Sequence, residues 1–186
     1  MLFFYNICKT LIYNMKFIFL GYMASGKSTI GRLFAEKRGL NFIDLDAYIE
    51  EKEAMSVTEI FKSKGEIYFR KQENLYLKEL LQLEEDFVLA LGGGTPCYAN
   101  NMNVLLESAN TLSIYLKLKI TTLFNRLTKE KSERPLVADL EDNDIMEFIA
   151  KHLFERGYYY NQANIIVNGD DKEVEILVEE VDRLLS

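Results

Sequence analysis

The sequence has few of the residues that build disulfide frameworks or zinc sites. Its 186 residues include two cysteines, Cys8 and Cys97, and a single histidine, His152. No CxxC pair is present, so the pattern predicts neither a disulfide scaffold nor a zinc site. Such cysteine usage is typical of a reducing compartment, and we expect a cytoplasmic protein. We expect His152, which lies in a segment of helical periodicity, to have a structural or surface role.

Positive charge is also scarce. Lysine and arginine total 22 against 29 aspartates and glutamates, which gives a formal net charge of −7 and a pI near 4.9. Nucleic-acid phosphates are held by basic surfaces, so this balance excludes non-specific nucleic-acid binding. Any anion that the protein binds needs a local cluster of cations.

Long uninterrupted apolar runs are missing as well. The first 21 residues are apolar overall, but Asn6, Lys9, Asn14 and Lys16 interrupt them. These interruptions argue against a membrane span, and the segment has neither the preceding charged region nor the small-residue cleavage site of a signal peptide. We therefore expect no membrane partner, and we interpret residues 1–14 as an N-terminal appendage before a single domain, residues 15–186.

Short apolar runs alternate with helix-period segments along the rest of the chain. This order is typical of βαβ units around a parallel sheet, and hence of an α/β fold. Strands are predicted at residues 17–20, 41–44, 87–90, 111–116 and 163–167. Helices are predicted at residues 27–38, 48–52, 57–62, 66–82, 102–107, 121–128, 142–160 and 172–185. Residues 129–144 are dense in charge, contain a proline and lose apolar periodicity, so we interpret them as a lid loop.

A phosphate-binding motif follows the first strand. Residues 21–28 (GYMASGKS) match G-x-x-x-x-G-K-[ST] between an apolar strand and a helix pattern. In such a loop the backbone N–H groups face the phosphates, Lys27 reaches the β and γ oxygens, and Ser28 can bind Mg²⁺. The guanine-reading NKxD motif and the DxxG switch motif are absent, so the pattern favours a small-molecule kinase over a GTPase.

Two carboxylates follow the second strand. Asp44 and Asp46 lie just beyond its carboxyl end, where open α/β sheets bind ligands. Alternation along the strand makes both side chains point the same way, so one can lie near Mg²⁺ and the other near an acceptor hydroxyl. The alternative is that Asp46 caps the helix that follows.

Further motifs follow one another in the order found in shikimate kinase, and the chain resembles that family from residue 15 to the C-terminus. Besides the phosphate-binding loop and DLD at residues 44–46, the sequence contains GEIYFRKQE at 65–73 and LGGG at 91–94. ERPLV follows at 133–137, and R-x-x-x-Y at 156–160. The resemblance implies a three-layer αβα P-loop kinase fold, with a five-stranded parallel sheet, a lid and a small acceptor-binding helical region at about residues 45–75.

The resemblance also implies roles in ATP-dependent phosphorylation of the 3-hydroxyl of shikimate. Asp46 would hold the reacting hydroxyl, while Lys27 and Arg134 would stabilise charge on the transferring phosphoryl group. Ser28 and Asp44 would lie on the Mg²⁺ side. The implied shikimate contacts are Asp46, Arg70, Gly92, Gly93, Gly94 and Arg156. The implied ATP contacts are Gly21, Ala24, Ser25, Gly26, Lys27, Ser28, Thr29 and Arg134.

The sequence departs from the family pattern at Ala24, where glycine is usual, so the loop must accommodate a Cβ atom. The family also has an arginine that packs on adenine; Arg126 is the nearest candidate, and no residue is assigned to that role. We expect a monomer. Two alternatives stay open: another small-metabolite kinase of the same fold, such as a gluconate kinase, and a nucleotide-binding regulator without catalysis.

Overall fold

Five short strands form one parallel sheet in the order β2-β3-β1-β4-β5. The computed structural model describes residues 15–131, 137 and 140–185. The strands are β1 (Lys16–Leu20), β2 (Asn41–Asp44), β3 (Phe87–Ala90), β4 (Thr111–Lys117) and β5 (Ile165–Asn168). Strand β1 lies at the centre of the sheet, between β3 and β4. After β1 the chain first forms β2 and β3 on one side of it and then β4 and β5 on the other. The carboxyl end of β1 is therefore the switch point at which such sheets bind ligands.

Helices cover both faces of the sheet. They are α1 (Lys27–Arg38), α2 (Leu45–Glu53), α3 (Val57–Leu81), α4 (Asn101–Glu107), α5 (Ile120–Lys129), α6 (Asp142–Tyr160) and α7 (Val174–Leu184). Alternate residues of β1 face opposite sides: Phe17 and Phe19 pack in the core with α1 and α7, while Ile18 and Leu20 pack with α2, α3 and α6. The predicted three-layer fold with a five-stranded parallel sheet is confirmed.

Most predicted elements begin or end within one or two residues of the observed ones. The start of β5 at residue 163 was wrong by two residues. Asn164 is drawn out of the ladder because its side-chain oxygen accepts hydrogen bonds from the Ser113 backbone N–H (2.9 Å) and hydroxyl (2.7 Å). The predicted start of α2 at residue 48 was wrong by three residues, because the Asp44 side chain caps the helix earlier.

Side-chain contacts tie α2 to α3 in the segment predicted to bind the acceptor. The Glu53 carboxylate accepts hydrogen bonds from Lys64 Nζ (2.9 Å), Tyr68 Oη (2.8 Å) and Tyr76 Oη (2.9 Å). Helix α3 is kinked at Gly65, whose φ of 82° lies outside the helical region. Its two segments, on either side of the kink, correspond to the two helices predicted at residues 57–62 and 66–82. Among the described helices, none is long and apolar enough to cross a membrane.

Candidate active site

The loop after β1 is shaped to receive an anion at the start of α1. Gly26, with φ of 92°, begins the helix without a capping side chain, and the first turn of α1 contains no acidic residue. The N-terminal amides of the helix therefore lack a competing carboxylate from its own first turn. Lys27 is buried and donates from Nζ to the Tyr22 carbonyl at 2.9 Å, which folds its side chain back along the loop. Ser28 and Thr29 are exposed at the same helix end.

Ala24 occupies a left-handed backbone conformation in this loop. Its φ is 59°, a value that costs a residue with a Cβ atom roughly 1–2 kcal/mol. The loop thus keeps a glycine-like shape despite the substitution of alanine. Arg126 on α5 donates from Nη1 to the Ala24 carbonyl at 3.2 Å, so the candidate for the adenine arginine lies against the phosphate-binding loop.

Asp44 links the end of β2 to the phosphate-binding loop. One of its carboxylate oxygens accepts a hydrogen bond from the Ser28 hydroxyl at 2.7 Å, and the other accepts from the backbone N–H groups of Asp46 (3.1 Å) and Ala47 (3.4 Å). Asp44 is therefore the N-cap of α2. The expectation that strand alternation aligns Asp44 with Asp46 was wrong, because β2 ends at Asp44 and Asp46 lies in the first turn of a helix. The alternative in which Asp46 is the cap is wrong for the same reason.

The Ser28 hydroxyl and the Asp44 carboxylate could hold a Mg²⁺ ion. Both are hard oxygen donors, and their 2.7 Å separation brings them to one point beside the phosphate-binding loop. Mg²⁺ fits such a pair because it usually takes one or two protein ligands together with water and substrate phosphates. Within the described ranges, no cluster of three or more metal-binding side chains occurs.

The Asp46 carboxylate has a raised pKa. Its pKa is raised to about 6, first by desolvation and then by the negative charges of Asp44 and Glu73, while Lys27 and Arg70 act in the opposite direction. Gly92 explains how the carboxylate fits, because a Cβ atom at this position would lie 2.9 Å from Asp46 Oδ1. Glycine at 92 thus leaves room for the carboxylate at the carboxyl edge of the sheet.

A hydrogen-bonded network holds Arg70. Its Nη1 donates to the fully buried Glu73 carboxylate at 2.9 Å, and that carboxylate accepts from the Thr95 hydroxyl at 2.6 Å. The guanidinium group also stacks on Tyr98, 4.1 Å from the ring centre. A Cβ atom at Gly94 would lie 2.9 Å from Arg70 Nη2. Glycine at 94 therefore leaves room for the Arg70 guanidinium group, as glycine at 92 does for the Asp46 carboxylate.

Arg156 approaches the same loop from α6. Its guanidinium group lies 5.6 Å from the ring centre of Tyr22, and Tyr160, one turn further along, donates its hydroxyl to the Gly93 carbonyl. Cys97 lies within the electrostatic range of both arginines: burial raises the pKa of its thiol to about 11, while the charges of Arg156 and Arg70 act in the opposite direction. The two arginines, far apart in sequence, thus flank one short segment.

The structure brings together the predicted residues of the phosphate-binding loop, Asp44, Asp46, Arg70, the three glycines and Arg156. Arg134 and the middle of the predicted lid, residues 132–136 and 138–139, lie outside the described residues. Sequence reasoning missed Glu73 and the Tyr22–His152 contact. The spacing of three residues between Arg70 and Glu73 on one helix is a signal that could have identified the first. No local pattern connects Tyr22 with His152.

Comparison with known proteins points to one family. The family model for shikimate kinase matches residues 23–185. A shikimate kinase of Flavobacterium johnsoniae is 47% identical over 166 residues, covering 89% of this chain and 96% of the relative. The crystal structure of a shikimate kinase from Bacteroides thetaiotaomicron has a TM-score of 0.84 at 36% identity, covering 92% and 98% of the two chains. A shikimate kinase from Acinetobacter baumannii, in complex with shikimate, has a TM-score of 0.83 at 28% identity, covering 95% and 96%.

We expect the ionised, desolvated carboxylate of Asp46 to lower the free energy of unfolding at neutral pH. Its folded-state pKa of about 6 exceeds the ordinary value of 3.8, so the folded chain binds more protons between these values and loses stability as pH rises. We expect Asp46→Asn, which does not titrate, to raise the free energy of unfolding by about 1–3 kcal/mol at pH 8 and by much less at pH 4. Urea denaturation followed by circular dichroism measures both values.

The matched control for this prediction is Glu51→Gln, which removes an exposed carboxylate from the same helix. It should change stability by less than about 0.5 kcal/mol at either pH. An Asp46→Asn variant that is less stable than the parent, or equally stable at both pH values, would contradict the assignment of a desolvated carboxylate.

Proposed function

The chain belongs to the shikimate kinase family, and we propose that it transfers the γ-phosphoryl group of ATP to the 3-hydroxyl of shikimate in the biosynthesis of aromatic amino acids. The observation that carries the proposal is the position of the Asp46 carboxylate. It lies at the carboxyl edge of the sheet, against Gly92 and within the electrostatic range of Lys27 and Arg70. An acceptor hydroxyl held there would face a phosphate held by the loop after β1.

On the nucleotide side, the backbone of residues 21–26 and the start of α1 would bind the phosphates. The contacts assigned to ATP are Gly21, Ala24, Ser25, Gly26, Lys27, Ser28, Thr29 and Arg134. Lys27 would move from the Tyr22 carbonyl to the β and γ oxygens, where its charge offsets the negative charge of the transition state. Arg134 would supply a second cation from the lid, a role that rests on the ERPLV motif alone.

Ser28 and Asp44 would hold Mg²⁺, Asp44 through a water molecule if it keeps its role as the cap of α2. Bound there, the metal ion supplies positive charge beside the β and γ phosphates. The protein contributes the position of these oxygens, which the end of β2 and the start of α1 fix together.

On the acceptor side, Arg70 and Arg156 would bind the carboxylate of shikimate, since guanidinium groups pair with carboxylates in a bidentate manner. Gly92, Gly93 and Gly94 would let the ring approach the backbone closely. Asp46 would accept the proton of the attacking hydroxyl. At the same time the hydroxyl oxygen would form the new bond to the γ-phosphorus, and the bond from that phosphorus to the β-phosphate oxygen would break. A pKa near 6 suits a base that works at neutral pH.

We further propose that the enzyme acts as a monomer in the cytoplasm. The scarcity of cysteine supports a reducing compartment, and the acidic composition supports small-molecule rather than nucleic-acid partners.

The direct test is a coupled ADP-release assay with Mg²⁺-ATP and three acceptors: shikimate, gluconate and a nucleoside monophosphate. We expect turnover with shikimate at least about a hundredfold above the other two. Lys27→Ala should lower that turnover by about 10²-fold or more, because a cation that stabilises the transition state is lost. Preference for gluconate, or near-parental turnover in the Lys27 variant, would refute the proposal.

The role of Asp46 as the base predicts a separate kinetic result. Asp46→Asn keeps the shape of the side chain but cannot accept the proton, so kcat should fall at least about 10²-fold. In the parent, kcat/KM should fall as pH drops through about 6, because the carboxylate becomes protonated. Glu51→Gln should leave both parameters unchanged. If the Asn variant keeps the parental kcat, Asp46 only positions the acceptor.

The carboxylate clamp predicts an effect on acceptor binding. Arg156→Ala should raise the KM for shikimate by about 30-fold or more, the equivalent of about 2 kcal/mol, because an acceptor carboxylate would lose a charged partner. Arg70→Lys, which leaves a cation for Glu73, should also raise it, since lysine lacks the bidentate fork.

Steady-state kinetics with shikimate and ATP varied in turn measure both variants. Arg183→Ala, an exposed arginine on α7, is the matched control and should behave as the parent. Unchanged KM values for shikimate in both clamp variants would remove the clamp from the proposal.

A further inference from the structure

Tyr22 connects the nucleotide loop with the helix that carries Arg156. Its side chain is 1% exposed although it belongs to the phosphate-binding loop. The hydroxyl lies 3.0 Å from His152 Nδ1 on α6, and the ring lies beneath the Arg156 guanidinium group at 5.6 Å. His152 and Arg156 are four residues apart, on the same side of α6. One tyrosine therefore contacts two successive turns of this helix.

The backbone of Tyr22 is held within the loop at the same time. Its carbonyl oxygen accepts hydrogen bonds from Lys27 Nζ at 2.9 Å and from the Ser25 backbone N–H at 3.2 Å. The ring is thus anchored to the loop that would bind ATP, while its outer face and its hydroxyl contact α6. A shift of α6 along the loop would break the hydrogen bond to His152 and move Arg156 off the ring.

The surroundings of the pair favour the uncharged form of both groups. Desolvation raises the pKa of Tyr22 to about 12, so the phenol keeps its proton. Desolvation also lowers the pKa of His152, and the charges of Arg156 and Lys151 act in the same direction while Glu155 opposes them. At neutral pH the imidazole is therefore uncharged, and in the tautomer that carries its proton on Nε2 the Tyr22 hydroxyl donates to Nδ1. Phe148 packs on the imidazole with ring centres 4.0 Å apart, which restrains the orientation of His152.

We propose that Tyr22 and His152 are positioning residues for the acceptor, because their hydrogen bond keeps α6 in register with the phosphate-binding loop and so keeps Arg156 in the carboxylate clamp. The inference rests on the proposed role of Arg156. Neither residue touches the acceptor in this scheme, and both act through Arg156.

Three single variants separate the hydrogen bond from the packing of the side chains. Tyr22→Phe keeps the ring beneath Arg156 and removes the hydroxyl. His152→Leu removes the acceptor, while His152→Asn retains a polar atom at the Nδ1 position because both side chains branch at Cγ. Tyr22→Phe and His152→Leu should each raise the KM for shikimate by about two- to tenfold, the equivalent of one hydrogen bond, with less than a twofold change in the KM for ATP. His152→Asn should remain within twofold of the parent.

A double-mutant cycle with Arg156→Ala tests whether the pair acts through Arg156. We expect Tyr22→Phe to have no further effect on the KM for shikimate once Arg156 is absent. Thermal unfolding of every variant shows whether the fold is retained. An equal increase in KM with and without Arg156, or a lowered melting temperature with an unchanged KM, would overturn the inference and leave the pair a purely structural contact.

The same data distinguish failure of this inference from failure of the clamp. If Arg156→Ala itself leaves the KM for shikimate unchanged, the proposed role of Arg156 is wrong and the inference falls with it. If Arg156→Ala raises the KM but Tyr22→Phe and His152→Leu do not, the clamp stands and the positioning role alone is refuted.

Discussion

The close approach of the backbone at residues 92–94 to its neighbours is the constraint on which the site depends. A Cβ atom would lie 2.9 Å from the Asp46 carboxylate at Gly92, 3.1 Å from the backbone nitrogen of Met23 at Gly93, and 2.9 Å from the Arg70 guanidinium group at Gly94. Three glycines thus let the loop after β3 approach the phosphate-binding loop, the Asp46 carboxylate and the Arg70 guanidinium group together. A side chain at any of the three would push these groups apart.

That proximity concentrates charge, and the charges offset one another. Desolvation, and then repulsion by Asp44 and Glu73, raise the pKa of Asp46, while Lys27 and Arg70 lie close enough to oppose the shift. The Glu73 carboxylate, fully buried, is balanced by Arg70 and by the Thr95 hydroxyl. A charge held away from water lowers the stability of the fold unless a proton or a substrate of opposite charge neutralises it. Such a cluster is therefore suited to catalysis more than to stability.

The sequence predicted contiguous features well. The phosphate-binding loop and α1 are specified by neighbouring residues, and β2 and β3 were located at their observed bounds because each contains a short apolar run, which in β2 follows Asn41 and in β3 follows Asp86. The orientation of Asp46 was not predictable from strand alternation, since the cap at Asp44 ends the strand. The contact between Tyr22 and His152 spans 130 residues and leaves no trace in local periodicity. The roles of the site residues, Arg134 among them, remain predictions.

The place of β1 in the middle of the sheet has a consequence for how the chain folds. Strand β1 pairs with β3 and β4, which follow it in the chain by about 70 to 95 residues. Closing loops of this length costs conformational entropy before the strand contacts stabilise the chain. Folding of such a topology is therefore slow compared with that of a protein built from local contacts. The groups proposed to bind the two substrates come from the loop after β1, from the segments around β2 and β3, and from a helix that follows β4. Neither half of the chain contains a complete site, and catalytic competence should therefore appear as a late event in folding, after the central strand has gained both of its neighbours.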